Sequence, residues 1–428
     1  MDETPVSAGT PNAYVTAILA AAIDAARKER SQEAIALLKL IVGASGIDGY
    51  VLYVMGRSYY ELKEIDLAAA TLGMSVIIDP YRAEAFNDLA AVLFAQQRFA
   101  EALTFIRRAL DLNPNLAEAE ESDAIWLLRC GRFKEGWRKY EARYRTILSR
   151  TYQRHFSQPQ WHGETIRGKT ILLHAEQGVG DAIQFARYVP LVAARGAQVF
   201  LEIHRPLTAL FETMPGVSLI VARGDPLPAF DWHCPLLSLP LAFGTGLDSI
   251  PAETPYVTAP SRHVLLWSQR LGPRRGKRIG IVWSGNPSHR DDYRRSIPLS
   301  AFSQILAARP DLEFHVLQKE LRDADKQALD ALPHVIGHGS QLMDFRDTAA
   351  LIALMDLVIT VDTSVAHLAG AMGWPVWTLL SAVNDWRWLL ERDDSPWYPS
   401  MWLFRQQTLG DWGPVLTEVA RQLDDMLI

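Results

Sequence analysis

Hydroxyl side chains follow a short apolar run late in the sequence, where the backbone is suited to bind an anion. Leu357 to Val361 is a β-branched, apolar run of the kind that a parallel sheet buries on both faces. Asp362, Thr363 and Ser364 come next, and all three are residue types that cap helices. A helix that begins here presents free backbone N–H groups beside two hydroxyls. The stretch therefore predicts a phosphate site, although an ordinary capped helix has the same pattern.

Four further side chains extend this predicted site. His367 is expected on the off-core side of the helix, where it can donate a hydrogen bond. Asp362 is expected to cap the helix or to contact a hydroxyl group of the ligand, because a carboxylate repels a phosphate. Gln318 and Lys319 follow another predicted strand, Glu313 to Leu317, and are placed to contact a nucleobase or a phosphate. Both could equally be surface residues.

A polar loop follows the strand that is predicted to begin near Gly276. Its three arginines and small polar residues suit phosphate oxygens, which form charge-assisted hydrogen bonds with guanidinium groups. A solvated surface loop has a similar composition. The predicted binding residues of this loop are Trp283, Ser284, Asn286, Arg290, Arg294 and Arg295.

A third polar group follows the predicted strand Thr170 to His174. A carboxylate at this edge of a sheet can take up a proton from a hydroxyl group, and Asp181, Glu176 and His174 are the candidates. Asp181 could instead cap the helix that follows, and His174 could be a core residue. The same turn holds the candidate acceptor-side residues Gln177, Gly178 and Gly180.

Length and composition restrict the class of protein. A chain of 428 residues suggests two or three domains, and its formal charge of −6 does not favour nucleic acid as the main partner. The two cysteines have no metal-ligand spacing and fit a reducing compartment. No run approaches the ~18 apolar residues of a membrane span. We therefore expect a cytoplasmic protein without a membrane span, a cofactor or a nucleic-acid partner.

Small residues recur at intervals of 34 residues in the first third of the chain. One equivalent position holds Ala34, Ala68, Ala102 and Gly136, and another holds Ala22, Gly56, Ala90 and Ala124. Large residues are in register at Leu38, Leu72, Ile106 and Tyr140, and breaks occur at Gly46, Pro80 and Pro114. This pattern resembles the tetratricopeptide (TPR) repeat and predicts a domain of helical hairpins over residues 1–150. Residues 1–12 of this domain are expected to be a frayed tail.

The rest of the chain alternates between predicted strands and helices. A packed linker is expected from Thr151 to Thr165, and two βα series then start near Gly168 and Gly276. Two Rossmann-like halves, over residues 151–275 and 276–428, are the simplest account. A final helix is predicted from Val415 to Leu427, and it could cross back to the first half.

Two motifs in these halves resemble those of the heptosyltransferase-type glycosyltransferases of family 9. Gly180-Asp181-Ala182-Ile183 is similar to the signature of their first lobe. The run from Asp362 to Ala369, followed by Gly373-Trp374-Pro375, is similar to their donor-site signature. Together with the repeats, the chain resembles bacterial TPR glycosyltransferases and is organised like the O-GlcNAc transferases. The segment Trp386-Arg387-Trp388 is not a heptosyltransferase feature.

The resemblance implies a TPR solenoid followed by a GT-B pair of Rossmann-like lobes. It also implies an inverting, metal-independent glycosyltransferase that uses a nucleotide-sugar as co-substrate. Asp181 matches the family's catalytic carboxylate by position, with Glu176 and His174 as alternatives in the same turn. The repeats would recruit the acceptor, which we expect to be a protein or peptide. Two alternatives remain: a non-catalytic TPR scaffold with a degenerate GT-B domain, and an enzyme that acts on a glycan or lipid.

Overall fold

The computed structural model of the chain describes residues 13–146 and 154–425. The predicted tail over residues 1–12 and the first part of the predicted linker, residues 151–153, lie outside the described residues. The chain forms two compact units that divide between Ile125 and Trp126. No helix of the described ranges is both long and apolar enough to cross a membrane.

Paired helices build the first part of the chain, as the repeat pattern predicts. Their bounds are α1 (Ala13–Arg27), α2 (Ser31–Ser45), α3 (Gly49–Glu61), α4 (Ile65–Ile78), α5 (Ala83–Ala95), α6 (Phe99–Leu112), α7 (Ala117–Arg129) and α8 (Phe133–Tyr140). Every residue of the two small-residue positions and of the large-residue position is buried. At Gly56 a Cβ atom would lie 2.6 Å from Leu72 Cγ, so the helices touch where the sequence requires a small residue.

The second unit holds two sheets whose named strands are all parallel. The first sheet has the order β3-β2-β1-β4 and is made of β1 (Thr170–His174), β2 (Gln198–Ile203), β3 (Val217–Ala222) and β4 (Trp232–Pro235). The second has the order β10-β9-β8-β5-β6-β7. Its strands are β5 (Arg278–Val282), β6 (Glu313–Val316), β7 (Val335–Gly337), β8 (Leu357–Val361), β9 (Val376–Leu380) and β10 (Met401–Arg405).

Short helices connect these strands. They are α9 (Val179–Phe185), α10 (Val189–Ala193), α11 (Thr208–Phe211), α12 (Leu239–Ala242), α13 (Ser261–Leu271), α14 (Asp292–Arg295), α15 (Leu299–Ala308), α16 (Asp323–Asp330), α17 (Phe345–Ile352), α18 (Ser364–Ala371) and α19 (Gly413–Asp425). We call the first sheet with its helices the first lobe and the second sheet with its helices the second lobe. In each sheet the strand order reverses beside the first strand, at β1/β4 and at β5/β8, and ligands of such folds bind outside this switch point.

The described residues therefore form a helical repeat array followed by two Rossmann-like lobes, which is the predicted TPR and GT-B arrangement. The domain limits differ from the predicted ones. The first unit ends at Ile125 rather than near residue 150, because Trp137 and Arg143 pack against the first lobe. Helix α13, predicted to belong to the first half, packs on the second lobe, where Trp267 Nε1 donates to Asp347 Oδ1 at 2.9 Å.

The final helix packs on the second lobe. Val415, Leu416, Val419 and Leu423 of α19 belong to the same buried cluster as the strands of the second sheet. The helix thus shields the core of its own lobe and does not cross back to the first lobe within the described residues. The last two residues of the predicted helix, 426–427, lie outside them.

Candidate functional site

Helix α18 begins at the switch point of the second lobe, and its first turn is capped from within. Thr363 is the N-cap residue, and its hydroxyl oxygen accepts the N–H of Val365 at 3.3 Å. The Thr360 hydroxyl lies 3.1 Å from the Thr363 hydroxyl and orients it. Thr363 and Ser364 are both partly exposed. The predicted strand, turn and helix are therefore present, with the N-cap at Thr363 rather than at Asp362.

Arg295 joins the two loops that flank this switch point. Its Nη1 donates to the main-chain oxygen of Asp362 at 3.0 Å, and its Nε lies 3.2 Å from Asp292 Oδ1. Arg322 also donates to the carboxylate of Asp292. Gly285 lets the loop approach these groups, because a Cβ atom there would lie 2.5 Å from Asp292 Oδ1. A half-buried guanidinium is thus held beside the N-terminus of α18, where an anion would lie.

Three of the residues predicted to bind the donor support the loop from behind. The Trp283 side chain is fully buried, and its Nε1 donates to Asp325 Oδ2 at 2.9 Å. Gln318 Oε1 accepts the main-chain N–H groups of Trp283 and Ser284 at 3.0 and 3.1 Å. Gln318 Nε2 donates to the Ser284 hydroxyl at 2.8 Å. These side chains shape the loop after β5 and do not line its surface. Their packing therefore does not support the predicted direct contact with a ligand.

The other predicted residues of this side lie nearer to solvent. Asn286 and Arg290 are exposed on the loop after β5. Arg294 Nε donates to the Tyr293 hydroxyl at 2.7 Å, which turns it towards the loop itself. Lys319 is exposed and donates to the main-chain oxygen of Met343 at 3.3 Å. The structure thus brings Arg295, Thr363 and Ser364 together and leaves Arg290 and Lys319 at the rim, whereas the Arg294 side chain is about 9% exposed and is paired with Asp291.

Asp181 lies in the first turn of α9, at the switch point of the first lobe. Helix α9 begins at Val179, so Asp181 is part of the helix and not of the turn before it. Its Oδ2 accepts the N–H of Gly178 at 2.7 Å, so Asp181 supports the N-cap residue from inside the helix and is not itself the N-cap that the sequence allowed. Its Oδ1 is paired with Arg387 of the second lobe. The side chain is about 19% exposed, so it still reaches the space between the lobes.

Arg387 connects the lobes through a buried set of polar contacts. Its Nε donates to Gln184 Oε1 at 2.5 Å in the first lobe, and its Nη1 donates to Asp385 Oδ1 at 2.8 Å in the second. The guanidinium also lies over the ring of Trp386, 4.4 Å from the centroid. Burial opposes its charge, but Asp385 and Asp181 together hold the pKa of Arg387 above its ordinary value. Arg387 was not among the predicted site residues, although its segment departs from the heptosyltransferase pattern.

Helices α9 and α18 meet directly at Gly180 and His367. A Cβ atom at Gly180 would lie 2.8 Å from His367 Cδ2 and 3.6 Å from Ser364 Cα. His367 is buried, its Nδ1 lies 2.9 Å from the Tyr398 hydroxyl, and its ring stacks on Trp388 at 5.3 Å. Burial, with the nearby Arg387, lowers the pKa of His367 well below its ordinary value. The expectation that His367 lies off the core was therefore wrong, and Gly180 serves the close contact of the lobes.

Asp362 has a perturbed carboxyl group between the lobes. Its Oδ2 accepts the indole N–H of Trp388 at 2.8 Å, so the carboxylate does not cap α18 as the sequence suggested. Burial raises the pKa of Asp362 to about 6, and the nearby Asp385 acts in the same direction. A carboxyl group with this pKa can exchange hydrogen-bond roles with a sugar hydroxyl near neutral pH.

The two other candidate bases are held in structural contacts. Glu176 is buried and receives hydrogen bonds from Arg143 Nη2 at 2.9 Å and from the Tyr144 hydroxyl. His174 Nε2 lies 3.2 Å from His233 Nδ1, and burial lowers the pKa of His174 well below its ordinary value. Asp181 is thus the candidate with a partly exposed carboxylate, and the geometry favours it.

Two of the acceptor-side residues lie in the loop before α9. Gly178 is exposed at the start of the helix. Gln177 Nε2 donates to the Tyr140 hydroxyl at 3.2 Å, and its main-chain oxygen lies 2.9 Å from His204 Nε2. This loop is therefore fixed from both sides.

The aromatic residues after β9 form a core between the lobes. The ring centroid of Trp386 lies 5.2 Å from that of Trp137 and 6.4 Å from that of Phe185. The ring centroids of Trp397 and Phe185 are 5.8 Å apart. Trp386, Trp388, Trp397 and Tyr398 are all buried, whereas Trp402 is 48% exposed. Stacking on a sugar or base is thus not available to the buried rings. Within the described ranges, no three His, Cys, Asp or Glu side chains are grouped as metal ligands would be.

Two protein families match parts of the chain. The tetratricopeptide repeat matches residues 83–116, and glycosyltransferase family 9 (heptosyltransferase) matches residues 341–406. The second match contains β8, the N-terminus of α18 and Arg387. The comparison thus selects the same part of the second lobe as the site geometry.

Whole-chain similarity extends to a curated protein and to solved structures. Protein FlbA of Caulobacter vibrioides is 26% identical over 424 residues, with 92% of this chain and 70% of FlbA covered. An O-GlcNAc transferase mutant of Thermobaculum terrenum is 15% identical at a TM-score of 0.38, covering 98% of this chain and 92% of that one. The ADP-heptose heptosyltransferase II of E. coli is 13% identical at a TM-score of 0.46, covering 60% and 98%. The chain thus combines a tetratricopeptide repeat with a segment of the glycosyltransferase family 9 type.

Proposed function

We propose that the protein is an inverting, metal-independent glycosyltransferase that moves a sugar from a nucleotide-sugar to a protein or peptide acceptor. The observation that carries this proposal is the facing of two switch points within one unit. Arg295 and the N-terminus of α18 lie on one side, and the partly exposed Asp181 lies on the other. An anion cradle opposite a carboxylate is what inverting transfer from a diphosphate donor requires.

The second lobe would hold the diphosphate of the donor. The backbone N–H groups of α18, the Thr363 and Ser364 hydroxyls and the Arg295 guanidinium supply hydrogen bonds and positive charge to the leaving group. Asp362 would contact a hydroxyl of the sugar. The main-chain contact of Arg295 with Asp362 keeps these parts in register.

The first lobe would activate the acceptor. Asp181 takes the proton of the acceptor hydroxyl as that oxygen attacks the anomeric carbon, and the bond from this carbon to the diphosphate oxygen breaks. The carbon is attacked from the side opposite to the leaving group, so its configuration inverts. No covalent intermediate on the protein is needed.

The helical repeats would recruit the acceptor. Polar side chains connect neighbouring repeats, as in the ion pair between the exposed Arg57 of α3 and the partly exposed Asp88 of α5 at 3.2 Å. Such a surface suits an extended protein segment.

A panel of UDP-, GDP-, ADP- and CMP-sugars tests this proposal by thermal shift and calorimetry. A donor at 100 times its Kd should stabilise the protein by about 2.7 kcal/mol. Replacing Thr363 and Ser364 together by Val should weaken donor binding about tenfold or more, since hydrogen bonds to charged groups are worth roughly 1.5 to 3 kcal/mol. The control Thr378→Val removes a buried hydroxyl of β9 that has no hydrogen-bond partner among the described residues, and it should leave donor affinity within about threefold. If no nucleotide-sugar binds, the non-catalytic scaffold becomes the better account.

A further inference from the structure

The two lobes differ in what occupies their switch points. In the second lobe, the space outside β5 and β8 is lined by partly exposed groups such as Thr363 and Ser364. In the first lobe, the corresponding space outside β1 and β4 receives residues 140–146, which begin at the last residue of α8. We call these residues the plug segment. A position that holds a ligand in other folds of this type is here filled by the chain itself.

Arg143 is the centre of the plug segment. Its side chain is fully buried, and Nη2 donates to Glu176 Oε1 at 2.9 Å and to the Ser238 hydroxyl at 2.7 Å. Glu176 follows β1 and Ser238 follows β4, so one guanidinium spans the two loops of the switch point. Arg143 Nη1 donates to Glu141 Oε1 at 2.7 Å and to the main-chain oxygen of Tyr140 at 3.0 Å.

The partners of Arg143 close the space further. The ring of Tyr144 lies 4.2 Å from the Arg143 guanidinium, and its hydroxyl donates to Glu176. The main-chain N–H of Leu237 donates to Glu176 Oε1 at 3.3 Å. A buried ion pair whose members have this many hydrogen bonds is rigid, because an unpaired charge in this place would be strongly disfavoured.

A filled crevice restricts the kind of acceptor that the first lobe can bind. Small molecules gain their affinity from enclosed pockets that bury most of their surface. With the plug segment in place, the Glu176 and Ser238 side chains at the switch point of the first lobe are buried and hydrogen-bonded to Arg143. A free sugar or a small glycoside would lack a binding site there, whereas a polymer can bind elsewhere and present one hydroxyl to Asp181.

We infer that the plug segment replaces the small-acceptor site, so that the acceptor is a macromolecule whose hydroxyl reaches Asp181 from outside the first lobe. This inference rests on the proposed function. Arg143 holds Glu176, the plug segment holds Gln177 through the Tyr140 hydroxyl, and the next residue, Gly178, donates its N–H to Asp181.

A full-length double variant, Arg143→Ala with Glu176→Ala, tests the inference. Both charges are removed together, so that neither remains buried and unpaired. The probe is a methyl glycoside offered with the donor that the thermal-shift panel identifies. We expect the variant to gain glycoside-dependent turnover about tenfold or more above the wild type, with an unchanged donor Kd.

Arg154→Ala with Glu202→Ala is the matched control. Arg154 Nη1 contacts the fully buried Glu202 at 2.6 Å, and Glu202 lies in β2, on the opposite side of β1 from β4. This variant should gain no turnover with the glycoside. An equal gain in the control would mean general loosening of the lobe and would overturn the inference.

Tyr144→Ala provides a second variant if the double variant does not fold. It removes the ring from the plug segment and keeps the pair of Arg143 and Glu176, and a smaller gain is expected. Two folded, donor-binding variants without any gain would overturn the inference, and so would efficient use of the glycoside by the wild type. Failure of the wild type to bind any donor would instead remove the proposed function on which the inference rests.

Discussion

Replacing Asp362 by Asn should make the protein more stable at neutral pH and should impair the proposed reaction. The pKa of this carboxyl is about 6 in the folded chain, against an ordinary value of 3.8. A group whose pKa is raised on folding binds its proton more tightly in the native state, so its ionisation destabilises the fold. The penalty is absent below pH 3.8, grows as the pH rises towards 6, and is constant above that.

The size of the effect follows from this difference. About two pKa units correspond to roughly 3 kcal/mol at 1.36 kcal/mol per unit. The side chain is partly exposed, and solvent screening reduces the value to about 1 to 2 kcal/mol. Asn keeps the shape and can still accept the N–H of Trp388 through its carboxamide oxygen. The variant should therefore unfold at higher denaturant concentration than the wild type at pH 7.5.

Chemical denaturation of the full chain at pH 7.5 and at pH 4 checks this expectation. Because the chain has two units, the transition of the second unit is followed on its own. The gain should shrink by at least half at pH 4, where this carboxyl is almost fully protonated in the folded state and close to half protonated in the unfolded state. Asp292→Asn is the matched control, since it breaks contacts with Arg295 and Arg322 and should destabilise the protein. The reasoning is refuted if Asp362→Asn brings no gain at pH 7.5, or the same gain at both pH values.

Two further changes have defined outcomes. Asp181→Asn can still accept the N–H of Gly178, but its carboxamide cannot take up a proton. Donor-dependent turnover should therefore fall by a factor of 10² to 10⁴, while the donor Kd changes little. Near-normal turnover in a folded variant would mean that Asp181 only caps the helix. His315 Nδ1 lies 3.0 Å from His338 Nε2, and burial lowers the pKa of both to about 4. Because the unfolded chain binds protons more tightly at these histidines, acid lowers the free energy of unfolding. The contribution of the pair is fully present above pH 6.5 and is lost as the pH falls towards 4, by about 2 kcal/mol per histidine at pH 5. His338→Gln should lose less stability than the wild type between pH 7 and pH 5 in thermal unfolding, and an unchanged pH dependence would contradict this account.

Local and periodic features were predictable from the sequence. The strands Thr170–His174 and Leu357–Val361 have the predicted bounds, because continuous apolar, β-branched runs suit strands that are buried on both faces. The repeat was equally readable, since each small residue on the 34-residue interval reports a helix contact that recurs in every hairpin. The turn at Thr363 was predictable because capping depends on residues adjacent in the chain.

Contacts between segments that are distant in the chain were not predictable in this way. Nothing near Glu176 indicates that Arg143 neutralises it, and nothing near Asp181 indicates its pairing with Arg387. His367 appeared free on a single helix and is buried only because Trp388 and Tyr398 cover it. The division between the units also could not be predicted from the sequence, because Trp137 belongs to a helix of the repeat by its pattern and to the second unit by its packing.

By itself, the sequence determined the two kinds of secondary structure, the repeat, the sheet-and-helix halves and the turns at which their polar residues gather. These depend on periodicity and on capping, which act over a few neighbouring residues. Only the tertiary structure decided which polar residues remain accessible and which form buried ion pairs, such as Arg143 and Glu176. It also decided which of these residues connect the two lobes. The reason is physical: burial and charge pairing depend on what the rest of the chain places against a side chain, and local sequence carries no record of that.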